Sequence, residues 1–175
     1  MSRVRMLLAS ATLVATTALA SSSALAVCIP ENFPVNWLRQ QERAHGHTIR
    51  RHVGKTDRQL TDRLRSSPRL LDANSYPNSV PFAQQTITTG LASDAGAINA
   101  WALRVGNAQP EAFDFADANG NTVGRIARRN PTPPPFANIS NTCAYRAVLK
   151  PTGGGNCYLL TSYPIMPRPE DNCRP

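Results

Sequence analysis

Near residue 110 the chain changes its hydrophobic period, and that change limits its fold more than any other feature. Before it, apolar residues recur at helical spacing; after it, they alternate in short runs bounded by turn residues. Helices followed by antiparallel strands specify an α+β domain. Trp37 to Ala44 reads as a helix ended by Gly46. Asp57 to Arg65 is a firmer helix, because Thr56 followed by Gln59 is a capping-box pattern. Pro81 to Gly90 and Asp94 to Val105 follow, the latter with Ile98, Trp101 and Ala102 on one side. Both are too short and too rich in alanine and threonine to stand alone, so they are expected to pack on a sheet. Thr48 to Val53 is ambiguous, since Gly54 closes that segment quickly.

Four strands are expected: Ala112 to Ala116, Val123 to Arg128, Cys143 to Lys150 and Cys157 to Pro164. The turn DANGN at 117–121 joins the first two, and PTGGGN at 151–156 joins the last two. Residues 66–79, rich in serine, proline and asparagine, read as a loop. Residues 130–141 read as another, because clustered prolines lack ladder donors.

Residues 1–26 have the form of an export signal: Arg3 and Arg5, an apolar run from Met6 to Ala20, and a small-residue end that places cleavage after Ala26. Residues 27–175 then form one domain, expected to be a secreted or periplasmic monomer. Val27 before Cys28 does not suit lipidation, and no later run is long enough for a membrane span. The signal holds two of the 19 basic residues and none of the 11 acidic ones, so the remaining chain carries a formal +6. That excess favours an anionic partner. Export makes disulfides between Cys28, Cys143, Cys157 and Cys173 the expected state. A hairpin of the last two strands would hold Cys143 and Cys157 at opposite ends, out of bonding reach. The expected pairs are Cys28 with Cys157 and Cys143 with Cys173.

All three histidines of the chain, His45, His47 and His52, fall within residues 45–64 beside Arg50, Arg51, Lys55, Arg58 and Arg63. Imidazole supplies proton transfer near neutral pH, and guanidinium and ammonium groups stabilise phosphoryl charge, so the segment suits phosphodiester chemistry. His45 fits a helix end, where an imidazolium meets the dipole. Arg63 lies near the edge of the stripe formed by Leu60 and Leu64 and is able to reach across it. Centring the last hairpin between Gly153 and Gly154 sets Thr161 opposite Arg146, Tyr163 opposite Ala144 and Lys150 opposite Cys157. One face would then present Arg146, Lys150, Thr161 and Tyr163, and the other Tyr145, Ala147, Leu149, Tyr158 and Leu160. Lys55, Arg146 and Lys150 are the candidate phosphate-binding cations. Arg128 and Arg129 read as a solvated patch. The histidine spacings lack a helical metal-binding pair, so neither metal nor cofactor is expected.

The run GHTIRRHVGKTDRQLTDRL at 46–64, the tryptophan at 101, the GR step at Gly124 and Arg125, and YLLTSYP at 158–164 together resemble the RNase A-like toxin domains at the C-termini of bacterial contact-dependent inhibition and polymorphic toxin proteins. The resemblance implies a kidney-shaped α+β fold and metal-independent RNA cleavage, often of tRNA. It places catalytic roles on His47 and His52, Arg63, Thr161 and Tyr163, and implies RNA as substrate and an immunity or inhibitor protein as partner. Such domains usually end a very large delivery protein, whereas this chain carries its own signal, and they do not as a rule need disulfides. A non-catalytic, disulfide-stabilised module that binds RNA, another polyanion or a protein would have the same charge, cysteines and export signal.

Overall fold

The computed structural model describes residues 27–106, 108–132 and 136–174, so the segment expected to be an export signal lies outside the described residues. Two three-stranded antiparallel sheets form the body, each covered by helices. The helices are α1 (Trp37–Arg43), α2 (Thr48–His52), α3 (Asp57–Ser66), α4 (Val80–Ser93) and α5 (Ala95–Val105). The strands are β1 (Asp72–Ser75), β2 (Glu111–Ala116), β3 (Gly124–Arg129), β4 (Ala137–Thr142), β5 (Ala144–Gly153) and β6 (Asn156–Pro164). One sheet has the order β2-β5-β6 and the other β1-β3-β4.

The first sheet packs against α1, α4 and α5. Leu38, Ile87, Leu91 and Ile98 meet Phe115, Ala147, Leu149 and Leu159 in the main apolar core. Trp101 is half-buried at its edge, with its ring edge-on to Phe113 at 5.3 Å between centroids. The second sheet packs mainly against α3, through Leu60, Leu64, Ala73 and Ala127, and its strands β1 and β3 also meet β6. The capping box of α3 forms: Thr56 Oγ1 accepts from Gln59 N–H at 3.2 Å, and Gln59 Oε1 accepts from Thr56 N–H at 2.9 Å. Disulfides join Cys28 to Cys157 and Cys143 to Cys173.

Several expectations fail for identifiable reasons. Residues 66–79 contain β1, whose Asp-Ala-Asn-Ser sequence has poor strand propensity and is held by pairing with β3. Residues 130–141 contain β4; its ladder starts after the prolines and runs along a sheet edge, where they remove no donor. The DANGN turn forms, with Asp117 Oδ1 accepting from Asn119 and Asn121 N–H, but it carries the chain from one sheet to the other, since β2 pairs with β5 and β3 with β1 and β4. The hairpin register is also shifted. Arg146 faces Tyr163, Val148 faces Thr161 and Lys150 faces Tyr158, with an irregularity between Val148 and Leu149. That bulge leaves Leu160 as the extra residue and turns Leu159 into the core in place of Tyr158 and Leu160. Arg129 is not simply solvated. Its guanidinium donates to the carbonyls of Leu64, Ser67 and Leu70, closing the end of α3, and lies 5.0 Å from the Phe136 ring centroid.

Candidate active site

The histidine segment docks across both sheets through its own backbone. His47 N–H donates to Leu160 O at 3.0 Å, and Ser162 N–H donates to Thr48 Oγ1 at 2.8 Å, fixing α2 on β6. Gly46 is required for this approach, because a Cβ there would lie 2.7 Å from the carbonyl oxygens of both Gln41 and Leu159. Glu42 accepts from Ile49 and Arg50 N–H at 3.0 and 3.1 Å, satisfying donors in the first turn of α2. At the far end Tyr76 N–H donates to His52 O at 2.8 Å and Gly54 N–H to Tyr76 O at 3.1 Å. Gly54 takes φ +69°, and a Cβ there would run into Asn78. The segment thus bridges β6 and the β1 end of the second sheet.

Where the two sheets meet, a cleft of about 770 Å³ opens. It brings together His47 and His52 from α2, Arg63 from α3, and Thr161 and Tyr163 from β6. The imidazole centroids are 6.5 Å apart, and the Tyr163 ring lies 5.2 Å from that of His52. Four polar atoms of residues lining the cleft are buried without a hydrogen-bond partner: His52 Nδ1, Thr161 Oγ1, Asn74 Oδ1 and Asp72 Oδ1, the last lying 3.3 Å from Arg128 Nε in an ion pair. Buried polar groups are rarely left unmatched, so this cluster marks a place prepared for a polar ligand.

The surrounding charge is cationic. Arg51, Arg63 and Arg69 line the cleft, and none has a carboxylate within 4.0 Å among the described residues. Arg63 is half-buried, and burial together with the neighbouring Arg51 lowers its pKa. His52 is buried, and desolvation, reinforced by Arg63, pushes its pKa down to about 3 despite the nearby Asn74. His47 is more open; desolvation and Arg51 lower its pKa below the ordinary 6.5, while Glu42 opposes the shift. An anion entering the cleft would favour protonation of both imidazoles.

The other expected cations differ in placement. Arg146 lines the cleft, but its fork is occupied by Asp114, with Nε and Nη2 donating at 2.6 and 2.8 Å. Lys150 does not line it; its ammonium donates to Ala108 O at 2.8 Å. Lys55 lies in an adjoining basic depression that shares Arg51 and Arg63 with the main cleft. His45 is exposed after α1 with φ +77°. Sequence reasoning missed Arg69, Asn74 and Asp114, and it counted Arg51 among the segment's cations without assigning it to the site. Arg51 follows His47 by four residues, a spacing that places both on one side of a helical turn. Asn74 carried no such signal, because β1 itself was unexpected. Among the described residues there is no group of three His, Cys, Asp or Glu able to hold a metal ion, and no helix is long and apolar enough to cross a membrane.

Comparison with curated proteins gives no match. A solved CdiA-CT/CdiI complex from Y. kristensenii 33638 contains a chain with a similar fold, at a TM-score of 0.55 and 23% identity, over 69% of this chain and 100% of that one. The model of the bacterial CdiA-CT RNase A domain matches residues 46–164, a span that begins at Gly46 of the histidine segment and ends at the last residue of β6. Since this span is most of the chain and contains both arms of the cleft, the protein belongs to the bacterial CdiA-CT RNase A domain family.

Proposed function

We propose that the protein is an exported, metal-independent endoribonuclease that cleaves RNA by attack of the 2′-hydroxyl and leaves a 2′,3′-cyclic phosphate. The observation that carries this reading is the meeting of His47, His52, Arg63, Thr161 and Tyr163 in one arginine-lined cleft. His52, the more depressed of the two imidazoles, is neutral and acts as base; His47, which holds a proton more readily, acts as acid. His52 removes the 2′-hydroxyl proton, O2′ bonds to phosphorus, the bond from phosphorus to O5′ breaks, and His47 protonates the departing oxygen. Arg63, with Arg51, stabilises charge on the nonbridging oxygens, where a guanidinium fork fits better than an ammonium. Thr161 Oγ1, unpartnered at rest, donates to the phosphate, and Tyr163 holds the His52 ring in place. Lys55 meets a flanking phosphate in the adjoining depression. The similar chain was solved as a CdiA-CT/CdiI complex; a protein inhibitor covering the cationic cleft here belongs to the proposal.

The test is incubation of the oxidised protein, lacking its signal, with mixed RNA in EDTA, followed by analysis of product ends. Cyclic phosphate ends that disappear in His47→Ala and His52→Ala are the expected result. Intact RNA alongside well-folded protein would transfer the reading to a non-catalytic binding module.

A further inference from the structure

Residues 165–174 lie beyond the family-matched span and are fastened back onto the domain at both ends. Ile165 N–H donates to Ala144 O at 3.0 Å, and Thr142 Oγ1 donates to Ile165 O at 2.7 Å. At the other end Cys173 is bonded to Cys143, and Arg174 N–H donates to Gly120 O at 2.9 Å. Between these anchors the strap lays Ile165, Met166 and Arg168 along the cleft that holds His47 and His52.

The strap changes the chemistry of that cleft. Met166 is 40% exposed, and Leu71, reaching the same cleft from the segment before β1, is 66% exposed. With Leu70, Ile126, Pro164 and Ile165 they give one part of an arginine-rich cleft an apolar lining, which an apolar ligand surface would cover and a bare phosphate would not. A nucleotide supplies both parts: a phosphate for the unpaired arginines and a ring whose faces are apolar. Arg168, 53% exposed and flanked by Glu170 at 3.5 Å, adds a polar edge beside Met166.

We propose that Met166 and Leu71 form the subsite for the nucleobase adjoining the scissile phosphate, so that the disulfide-anchored strap is a specificity element added to the family domain. The identity of the occupant rests on the ribonuclease reading, but its recognition does not require turnover.

The experiment is equilibrium binding of the four nucleoside 3′-monophosphates and of inorganic phosphate to the oxidised protein, to Met166→Ala and to Leu71→Ala. Both side chains are exposed, so neither truncation opens a core cavity. The wild type is expected to bind at least one nucleotide about tenfold more tightly than phosphate, and each variant to lose most of that preference with phosphate affinity unchanged. Equal affinity for nucleotide and phosphate in the wild type would overturn the proposal, as would variants that weaken both ligands alike or neither. A nucleotide preference in a protein that cleaves no RNA would sustain the subsite while removing the ribonuclease reading.

Discussion

The two sheets are built by different means. The β2-β5-β6 sheet rests on a broad apolar core shared with α1, α4 and α5, whereas the β1-β3-β4 sheet shares with α3 a cluster of only four buried apolar residues and relies on polar fasteners. These include Arg125 with Asp57 at 2.8 Å, Arg128 with Asp72 at 3.3 Å, and the Arg129 guanidinium on the α3 carbonyls. The cleft lies at the seam. The sheet with the deep core carries α2, Thr161 and Tyr163, and the lightly cored side contributes Arg63, Arg69 and Asn74. On the ribonuclease reading, the groups proposed to move protons need fixed geometry, which the apolar core supplies, and those proposed to neutralise a flexible polyanion tolerate a softer support.

The largest effect that would sharpen this division is the difference between histidine and asparagine variants. His52→Gln and His47→Gln are expected to lower RNA cleavage by about 10²–10⁴-fold, while Asn74→Ala, on the softer side, lowers it by about tenfold or less; single-turnover rates measure all three. A loss with Asn74→Ala as large as that with His52→Gln would break the division. The same imidazoles set a pH signature. The free protein has one neutral and one protonated imidazole only between about 3 and a value below 6.5, so kcat/KM is expected to peak on the acid side of neutrality. A bound phosphate is expected to raise both values, which would place the kcat profile at higher pH. Because burial depresses the folded pKa of His52 from 6.5 to about 3, this group leaves stability undiminished above 6.5 and lowers it progressively as pH falls toward 3, where the unfolded chain binds the proton that the folded one does not. Urea titrations of wild type and His52→Gln across that window should differ in slope.

How far the site was readable follows the same division. Thr56 and Gln59 announced α3, and Thr161 and Tyr163 stand on the expected face of β6 although their cross-strand partners differ. The face survived because the Leu160 bulge and the shifted turn displace the pairing in compensating ways. The softer sheet was hidden, because Asp72–Ser75 has no strand-like composition and becomes a strand only when β3 arrives from far along the chain. Asn74 and the Asp114–Arg146 pair were hidden with the topology, since a hairpin of β2 with β3 would have put Asp114 elsewhere.

The next contrast concerns the two cores. Leu91→Ala in the main core is expected to cost about 3–5 kcal/mol, and Leu64→Ala in the small cluster about 2–3 kcal/mol, because a thin cluster collapses more readily around a cavity. Denaturant midpoints measure both. A separate early transition in Leu64→Ala alone would show that the second sheet unfolds independently. The disulfides extend the comparison. Cys28–Cys157 closes a separation of 129 residues and Cys143–Cys173 one of 30. Loss of the first by paired serine substitution should therefore cost about 1 kcal/mol more than loss of the second, as read from the same midpoints.

The smallest expected stability change lies at the Asp114–Arg146 pair, which decides whether the deeply cored sheet also supplies a phosphate-binding cation. Arg146 donates twice to Asp114, and that hydrogen bonding holds the carboxyl below its ordinary 3.8. Because the folded value is depressed, the stabilisation is present above 3.8 and is lost as pH falls through the folded value. The pair is partly exposed, with the arginine side chain 38% accessible, so Asp114→Asn should cost only about 0.5–1 kcal/mol at neutral pH. Its effect on binding has the opposite sign. Removing the carboxylate releases the Arg146 fork beside the cleft, so phosphate affinity should rise several-fold and fall back as salt is added. Unchanged phosphate affinity in Asp114→Asn would assign Arg146 to the wall of the cleft and leave charge neutralisation to the arginines of α2, α3 and the segment before β1.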